Sequence, residues 1–462
     1  MVWSPRALGA PPQPGRLGAA VTESSPRPLS ALKAGPLYGG CRVPGDKSIS
    51  HRALIFGALA TGRTHITGLL EAEDVINTAK AVAALGAPTS RVGGGWKILG
   101  RGVGGLSEPA PALDFGNSGT GARLMMGVVA GHDMTVAMTG DASLCRRPMG
   151  RVLRPLRQMG LEVLEPGRET LPLTLRGTAD LVPIEYALPV PSAQVKSAIL
   201  IAGLHAAGET TVIEKEPTRD HTERMLRHFG AEISIVGHPH GRAITIKGDA
   251  ELEGRVVVVP GDPSSAAFIA AAALLVPGSD VTIEGILANP TRTGFYLTVQ
   301  EMGADLAFSN EREEGGEPVA DVRVRSSRLR GVRVPRERAP SMIDEYPVLA
   351  VVAALAEGET RMEGLAELQV KESDRLAVTA AGLHANGVVA RVEGDTLTVL
   401  GNRTVKGGGS VRTQMDHRIA MAFLTLGLAS EAPISVDDVS MITTSFPNFL
   451  EVMEKLGARY AE

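Results

Sequence analysis

The chain has 462 residues, of which 44% are hydrophobic and 21% charged, so it is long enough for two or three domains with their own cores. A formal net charge of −4, an aromatic content of 3% and a longest apolar run of only Ala266–Val276 give no reason to expect nucleic acid or a membrane as partner. The two cysteines, Cys41 and Cys145, cannot form a disulfide framework or a zinc site by themselves, which favours a reducing cytoplasm.

Residues 1–36 are rich in proline, glycine, alanine and arginine, and Glu23 is their only acidic residue. They contain no apolar block of the kind that forms the core of a signal peptide. This composition predicts a disordered N-terminal tail. A transit peptide, which is also rich in arginine and poor in acids, is the alternative.

The segment Val43–Arg52, with the sequence VPGDKSISHR, combines a Pro-Gly turn with several polar groups. Lys47, Ser48 and Arg52 follow the turn, and the apolar residues after Arg52 predict that a helix begins here. Cations beside the free N–H groups of a helix N-terminus suit a phosphate or carboxylate. A solvated basic turn would have the same composition and is the alternative.

The opening of this segment occurs a second time at Val259–Ala266, as VPGDPSSA, which indicates two related halves. Six short β-type segments are each followed by a loop and an amphipathic stretch that ends at a glycine. These glycines, spaced by 70 to 84 residues, are Gly86, Gly160, Gly230, Gly303, Gly387 and Gly457. We therefore predict an α/β fold of six compact units in two domains, at 43–259 and at 37–42 plus 260–462.

Charged residues cluster in the loops that precede the helices of these units. They are Glu73-Asp74, Arg146-Arg147, Arg219-Asp220, Arg292, and Lys371-Glu372 with Arg375. If the units share one orientation, these charges and the helix N-termini meet at one end of each domain, where an anion would be favoured. Six ordinary solvated helix starts are the alternative.

Five further segments carry polar groups suited to ligands: Asp114–Arg123, Pro191–Ser197, Ser341–Pro347, Lys371–Arg375 and Asp416–Arg418. Tight turns, helix caps or exposed ion pairs would explain most of them without a ligand. The chain has neither a dinucleotide fingerprint nor a Walker A pattern. His51, His221 and His417 lack the spacing of a metal site, so we expect no metal.

Taken in order, these segments resemble the 5-enolpyruvylshikimate-3-phosphate (EPSP) synthase family from about residue 38 to the C-terminus. The resemblance rests on the blocks VPGDKSISHR, DFGNSGTGAR, RRPMGR, PSAQVKSA, PTRDHTE, VPGDPSSAAF, NPTRTG, SMIDEYP, VKESDR and DHRIAM. It implies two inside-out α/β domains, each of three βαβαββ units, around an interdomain active-site cleft. The implied enzyme is a cytoplasmic monomer without a cofactor. It would transfer the enolpyruvyl group of phosphoenolpyruvate to the 5-hydroxyl of shikimate 3-phosphate, a step of chorismate and aromatic amino-acid biosynthesis.

Carried over position by position, the resemblance implies three catalytic residues. Lys47 would contact phosphoenolpyruvate and the reacting hydroxyl, Asp344 would take the hydroxyl proton, and Glu372 would protonate the methylene carbon. The residues expected to bind shikimate 3-phosphate are Lys47, Ser48, Arg52, Ser192, Ala193, Gln194, Arg219, Asp344 and Lys371. The residues expected to bind phosphoenolpyruvate are Lys47, Asn117, Gly119, Arg147, Gln194, Arg375 and Arg418.

The chain departs from the family pattern at several of these positions. Many members have a second serine at Ala193, so only a backbone contact is expected there, and many have a lysine at Thr444. The class resembled includes glyphosate-tolerant members, in which alanine narrows the phosphoenolpyruvate site where this chain has Gly119. Gly119 therefore predicts higher glyphosate sensitivity than the class suggests, and Leu124 acts in the opposite direction.

Two other functions compete with this interpretation. UDP-N-acetylglucosamine enolpyruvyl transferases share the fold and chemistry and use a loop cysteine near the position of Cys145. Here, however, Cys145 lies closer to Pro148 than in the motif of that family. A non-catalytic anion-binding protein on the same fold is the second alternative, against which the joint presence of Lys47, Asp344 and Glu372 argues.

Overall fold

The computed structural model of the chain describes residues 26–462, and the part of the predicted tail at residues 1–25 lies outside them. Within the described residues no helix is both long and apolar enough to cross a membrane. The α-helices of residues 26–462, α1 to α13 in chain order, are Lys47–Leu59, Glu73–Ala84, Gly119–Ala130, Gly150–Met159, Ala193–Gly203, His221–His228, Pro263–Leu275, Gly294–Glu301, Ala339–Met342, Tyr346–Leu355, Arg375–Ala385, His417–Gly427 and Phe449–Leu456.

The β-strands belong to six four-stranded sheets and one two-stranded sheet among the described residues. In chain order, β1 to β26 are Leu29–Leu32, Tyr38–Cys41, Ala60–Thr61, Arg63–Thr67, Thr89–Val92, Gly95–Leu99, Leu113–Asp114, Thr135–Thr139, Glu162–Val163, Leu173–Arg176, Glu185–Ala187, Glu209–Glu214, Ile233–His238, Gly241–Lys247, Leu252–Glu253, Val256–Val258, Asp280–Leu287, Asp305–Glu314, Glu317–Arg325, Arg333–Val334, Glu357–Met362, Val389–Glu393, Thr396–Asn402, Ser410–Val411, Ile434–Val436 and Arg459–Ala461.

The six four-stranded sheets repeat one pattern, with one parallel pair followed by two antiparallel pairs, as in the order β7-β8-β10-β9. Each sheet belongs to a unit with one largely buried helix (α1, α3, α5, α7, α10 or α12) and one shorter or more amphipathic helix (α2, α4, α6, α8, α11 or α13). The six glycines that were predicted to end the amphipathic helices have φ between +79° and +121°. This conformation is easy for glycine and strained for other residues, so the glycine positions mark the helix ends.

Two hydrophobic clusters form the core of the part of the chain that the structure describes. One contains buried residues from Ile49 to Val259 together with Leu287, and the other combines residues 29–43 with residues 266–458. Buried helices lie at the centre of each cluster: α3 packs against α1 and α5, and α7, α10 and α12 pack against one another. We propose that residues 43–259 form the first domain and that residues 37–42 together with 260–462 form the second.

The prediction of a disordered tail over residues 1–36 is wrong for residues 26–36. Residues 29–32 form β1, which lies between β25 and β26, and Leu29 and Ala31 are buried there. The physical reason is that the sheet of the sixth unit takes β24, β25 and β26 from residues 410–461, and β1 fills the place between β25 and β26 by pairing antiparallel with both. The N-terminal strand therefore supplies the strand that this sheet would otherwise lack.

Two crossovers connect the halves at the repeated Val-Pro-Gly-Asp segments. The Asp46 N–H donates to the Pro260 carbonyl and the Asp262 N–H donates to the Pro44 carbonyl, both at 2.8 Å. Strand β2 precedes α1 in the chain but pairs with β17, whereas β16 precedes α7 but pairs with β4. Each chain segment thus leaves one half and starts a helix of the other, which brings the N-terminus of α1 to the boundary between the domains.

Candidate active site

The first turn of α1 places Lys47 at the boundary between the domains. Its Nζ lies 2.7 Å from Oδ2 of Asp74, which begins α2. Burial alone would lower the pKa of Lys47, but Asp74 and Glu372 raise it above the ordinary lysine value. Lys47 is therefore a charged ammonium that pairs with a carboxylate of the first half and is stabilised by the charge of one of the second.

Asp344 is the meeting point of cations from both halves. Its Oδ2 lies 2.8 Å from an Arg219 nitrogen, and its Oδ1 lies 3.2 Å from Arg375 and 3.7 Å from Lys371. The Arg418 guanidinium reaches the backbone oxygen of Asp344 at 3.5 Å. Burial alone would raise the pKa of Asp344, but these four cations hold it well below its ordinary value. Asp344 is consequently an ionised carboxylate with both oxygens oriented.

Glu372 accepts a hydrogen bond from Arg375, three residues further along the chain. Arg375 is buried and is fixed from its other side by Asp416, at 2.8 Å from its Nε. Burial alone would raise the pKa of Glu372, but Arg375 and Arg147 help to hold it well below its ordinary value. Arg375 therefore links the two acids, because the same guanidinium contacts both Asp344 and Glu372.

Arg52, five residues after Lys47 in α1, is buried, and each of its three side-chain nitrogens donates one hydrogen bond. Its Nε and one terminal nitrogen donate to Thr222 and Ser197, each at 2.8 Å, and the other terminal nitrogen donates to the Ser48 carbonyl at 2.9 Å. Ser197 in turn donates to the Ala193 carbonyl at 2.7 Å. These bonds connect the start of α1 with the start of α5, where three of the predicted shikimate 3-phosphate contacts lie.

The start of α5 also connects to the glycine-rich loop. Gln194 donates to Thr120 and accepts from Arg123, each at 2.9 Å. A Cβ built on Gly119 would lie 2.9 Å from a terminal nitrogen of Arg123 and 3.3 Å from one of Arg147. Two guanidinium groups thus approach the same backbone position, which is a suitable arrangement for an anion.

Arg147 is oriented by the same loop. It donates to the side-chain oxygen of Asn117 at 2.6 Å and to Ser143 at 3.3 Å. Ser192 caps α5, with Oγ accepting from the Val195 N–H at 3.4 Å, so the capping explanation for this serine is also realised.

The predicted site residues divide into two groups by burial. Those buried are Arg52, Gly119, Arg375 and Arg418, and those half-buried are Lys47, Ser48, Asn117, Arg147, Ser192, Ala193, Gln194, Arg219, Asp344, Lys371 and Glu372. None of them is classed as exposed, which is unusual for so many charged side chains and is typical of a cleft. Thr444 donates to the Met441 carbonyl at 2.7 Å, a local contact in the turn before α13.

Three charged residues of the site were not predicted as ligands. Asp74 pairs with Lys47, Arg123 lies beside Gly119, and Asp416 fixes Arg375. Each of them stands inside a segment that the sequence analysis singled out, but its role depends on a partner between 4 and 41 residues away. The sequence therefore shows each of these charged residues within a motif, but it does not show which residue each of them contacts.

The sequence predicted that Arg292 would join the other loop charges at the cleft, and this prediction is wrong. It is buried at the crossovers, where its terminal nitrogens lie 2.7 Å from Asp46 and 3.0 Å from Asp262. Its position follows from the repeat, because the two capping aspartates of the repeated segments converge on one point and require a cation.

The chain matches the EPSP synthase (3-phosphoshikimate 1-carboxyvinyltransferase) family over residues 32–453. It belongs to this family. A 3-phosphoshikimate 1-carboxyvinyltransferase of Methylorubrum populi is 60% identical over 445 residues, which are 95% of this chain and 98% of that protein. One of Chelativorans sp. is 61% identical over 437 residues, or 94% of this chain and 97% of that protein.

Solved structures of the EPSP synthase family confirm the fold class. The EPSP synthase of Acinetobacter baumannii has a TM-score of 0.85 and 43% sequence identity, and the match covers 94% of this chain and 100% of that one. The predicted two-domain α/β architecture of this family is therefore correct. Among residues 26–462, no group of three or more histidine, cysteine or acidic side chains is arranged to hold a metal ion.

Proposed function

We propose that the protein is a 3-phosphoshikimate 1-carboxyvinyltransferase, which transfers the enolpyruvyl group of phosphoenolpyruvate to the 5-hydroxyl of shikimate 3-phosphate and releases phosphate. The observation that carries this proposal is the pair of acids, Asp344 and Glu372, held by the single buried guanidinium of Arg375 among cations from both halves. Both substrates are polyanions, so a site rich in oriented arginines suits them. Family membership supports the same reaction.

Asp344 is proposed as the base of the addition step. Its low pKa keeps it ionised, and Arg219 and Arg375 orient its two oxygens. The 5-hydroxyl gives its proton to Asp344 while its oxygen bonds to the central carbon of phosphoenolpyruvate. The methylene carbon of the substrate takes up a proton in the same step, and a tetrahedral intermediate results.

Glu372 is proposed as the acid that supplies this second proton. Arg375 and Arg147 help to keep the pKa of Glu372 low, so this residue is ionised and has no proton to give. The phosphate and carboxylate of phosphoenolpyruvate would offset the charges of Arg147, Arg375 and Arg418, and the pKa of Glu372 would then rise. In the elimination, Glu372 removes a proton from the new methyl group, the bond between the central carbon and the phosphate oxygen breaks, and Asp344 gives its proton to the leaving phosphate, while Lys47 offsets the developing negative charge.

The decisive experiment mixes the purified protein with both substrates and measures phosphate release. Release with shikimate 3-phosphate and phosphoenolpyruvate, and none with UDP-N-acetylglucosamine in place of the first, supports the proposal. Phosphate release with phosphoenolpyruvate and UDP-N-acetylglucosamine, but not with shikimate 3-phosphate as the acceptor, would favour the related transferase. If both substrates bind without phosphate release, the protein would be an anion-binding relative without catalysis.

We also propose that the enzyme acts in the cytoplasm as a monomer. Cys41 and Cys145 are both free thiols, which suits a reducing compartment. Residues of a single chain supply all the cations and acids of the site, so a second copy is not needed to complete it. Light scattering of the purified protein tests the monomer, and fractionation of cells that express the full chain tests the location.

The class of inhibitor response follows from Gly119. A methyl group at this position would approach Arg123 and Arg147 to 2.9 and 3.3 Å, so it would intrude among the cations proposed to hold phosphoenolpyruvate. We propose that the protein with Gly119 is sensitive to glyphosate and that Gly119→Ala weakens glyphosate more than phosphoenolpyruvate, because a fixed obstacle discriminates against the longer ligand. Equal losses for the inhibitor and the substrate would contradict this.

A further inference from the structure

The five residues from Arg219 to Glu223, at the start of α6, contact both halves of the molecule: the first three reach the second half and the last two reach the first half. Asp220 accepts from the Asn289 amide at 2.7 Å, and His221 lies 2.8 Å from Glu317; both partners belong to the second half. The next residue, Thr222, faces the first half and receives the Arg52 guanidinium. Arg219, which precedes them, reaches Asp344 across the cleft.

The contact between His221 and Glu317 is shielded from solvent. The side chains are 0% and 1% exposed, and Asn289 is buried beside them. One Glu317 oxygen faces Nδ1 of His221 and the other accepts from the Asn289 amide at 2.8 Å. Because both carboxylate oxygens are engaged as acceptors, Nδ1 of His221 is the donor, and the relative placement of the two halves is fixed at this point.

This bridge lies beside the second crossover, because Ala288, next to Asn289, donates to the Pro318 carbonyl, and Leu287 donates to the Gly261 carbonyl. The turn just before Glu317 packs on α6, since a Cβ at Gly316 would lie 3.3 Å from the Arg224 carbonyl oxygen. His221 is also close enough to Asp46, at the first crossover, to affect its pKa. A rotation that opened the cleft would separate Arg219 from Asp344 but need not separate His221 from Glu317.

We propose that His221 and Glu317 are positioning residues that form the pivot of domain closure, so that shikimate 3-phosphate held by Arg52 and Arg219 brings Asp344 to the reacting hydroxyl. This inference rests on the proposed function. The mechanical link is the chain itself: His221 stands between Arg219 and Thr222, which contacts Arg52. Occupancy of the sugar phosphate site is thereby coupled to the orientation of the second half.

The test compares His221→Leu, which removes the donor, with His221→Asn, whose amide nitrogen stands near the position of Nδ1 and can still donate to Glu317. His228→Leu is the matched control, because His228 ends the same helix and its side-chain hydrogen bond, at 3.1 Å, is to the Val256 carbonyl of the first half. Each protein is assayed for kcat, for its dissociation constant with shikimate 3-phosphate, and for compaction by small-angle scattering when this ligand is added.

We expect His221→Leu to lower kcat about 10- to 100-fold, because the acids of the second half are misplaced by a fraction of an ångström or more. Its affinity for shikimate 3-phosphate should fall by no more than about threefold, since most of the proposed contacts lie in the first half and only the shift toward the closed form is lost. The ligand-induced compaction should be reduced. His221→Asn should restore kcat and compaction, and His228→Leu should behave as the wild type.

A folded His221→Leu protein with wild-type kcat and compaction would overturn the pivot, and so would equal losses in His221→Leu and His228→Leu. If His221→Leu does not fold, Glu317→Gln replaces it, because its amide removes one of the two acceptors without a change of volume. Wild-type kcat and compaction in folded Glu317→Gln would then be the contradicting result. An inactive wild-type protein would instead refute the proposed function.

Discussion

The two crossover segments, Val43–Arg52 and Val259–Phe268, begin alike and end differently. In both, the aspartate caps the following helix, with Asp46 accepting from the Ile49 N–H and Asp262 from the Ser264 N–H, each at 2.8 Å. Both aspartates bind the buried Arg292. The shared part of the repeat is therefore a device for starting a helix at the boundary between the domains.

The difference lies in the residues after the aspartate. The first segment continues with Lys47, which pairs with Asp74 at the cleft. The second continues with Pro263 and Ser264, which are buried, and Ser264 donates to Glu345. One helix start thus presents charge to the site, whereas the other is packed into the core. Both copies of the repeat thus contain the turn and the cap, while only the first brings a charged side chain to the candidate site.

The largest expected effect comes from the two acids of the candidate site, which contrast with an acid that contacts the second segment. Asp344→Asn and Glu372→Gln each remove a proton-transfer group with little change of volume, and each should lower kcat about 10²- to 10⁴-fold. Glu345, the direct neighbour of Asp344, faces Ser264 in the second segment. Glu345→Gln is therefore the control, and its kcat should stay much closer to the wild type. Steady-state phosphate release measures all three, and an active Glu372→Gln protein would remove this residue from the mechanism.

A slightly smaller effect is expected at the first residue after the cap. Lys47→Met keeps the length of the side chain but removes the ammonium that pairs with Asp74, and kcat should fall about 10²- to 10³-fold. The corresponding change in the second segment, Pro263→Ala, should leave kcat near the wild-type value, since Pro263 is buried and carries no charged or proton-transferring group. Similar kcat losses in the two variants would mean that both segments serve the reaction, against the comparison.

Sequence reasoning reached the repeated architecture because its signals are local. A glycine with positive φ ends each amphipathic helix, and such a position can be seen in the chain without knowledge of the fold. It missed β1, because Leu29–Leu32 is short and its partners lie more than 400 residues away at Ile434–Val436 and Arg459–Ala461. Strand pairing at that separation leaves no local pattern.

The same reasoning applies to the site. The family motifs identify Lys47, Asp344 and Glu372 as candidate site residues, but they do not reveal which cation each acid contacts. Arg292 was grouped with the cleft charges, since its loop resembles the others, and only the docking of the two halves buries it between Asp46 and Asp262. Pairings of this kind depend on the tertiary arrangement, and charge alone does not predict them.

The third prediction concerns stability rather than kcat. Burial alone would raise the pKa of Asp46, but Arg292 and the Ile49 N–H help to lower it from 3.8 to about 2. An acid with a lowered folded-state pKa stabilises the protein above its ordinary pKa, and this stability is lost as the pH falls from about 4 to about 2. Asp46→Asn should therefore cost about 2 kcal/mol at pH 7 and flatten the acid part of the pH–stability curve. Denaturant melts between pH 2 and pH 7 measure both effects, and an unchanged curve would contradict the assignment.

The smallest effect on stability is expected at Asp262, the aspartate of the second segment, and it distinguishes the two segments most directly. Burial and the negative charge of Asp46 raise the pKa of Asp262, so the same guanidinium is shared unequally by the two copies of the cap. An acid with a raised folded-state pKa loses stability as the pH rises from its ordinary pKa through the raised value, which is opposite in sign to Asp46. Asp262→Asn keeps a capping oxygen and removes the charge that is costly to bury. At pH 7 the free energy of unfolding of this variant should therefore equal or exceed that of the wild type, or be lower by no more than about 1 kcal/mol. Denaturant melts of Asp46→Asn and Asp262→Asn at pH 7 compare the two copies directly. Equal destabilisation would show that Arg292 depends on both aspartates alike, and that the repeat is symmetric in its electrostatics as well as in its turn.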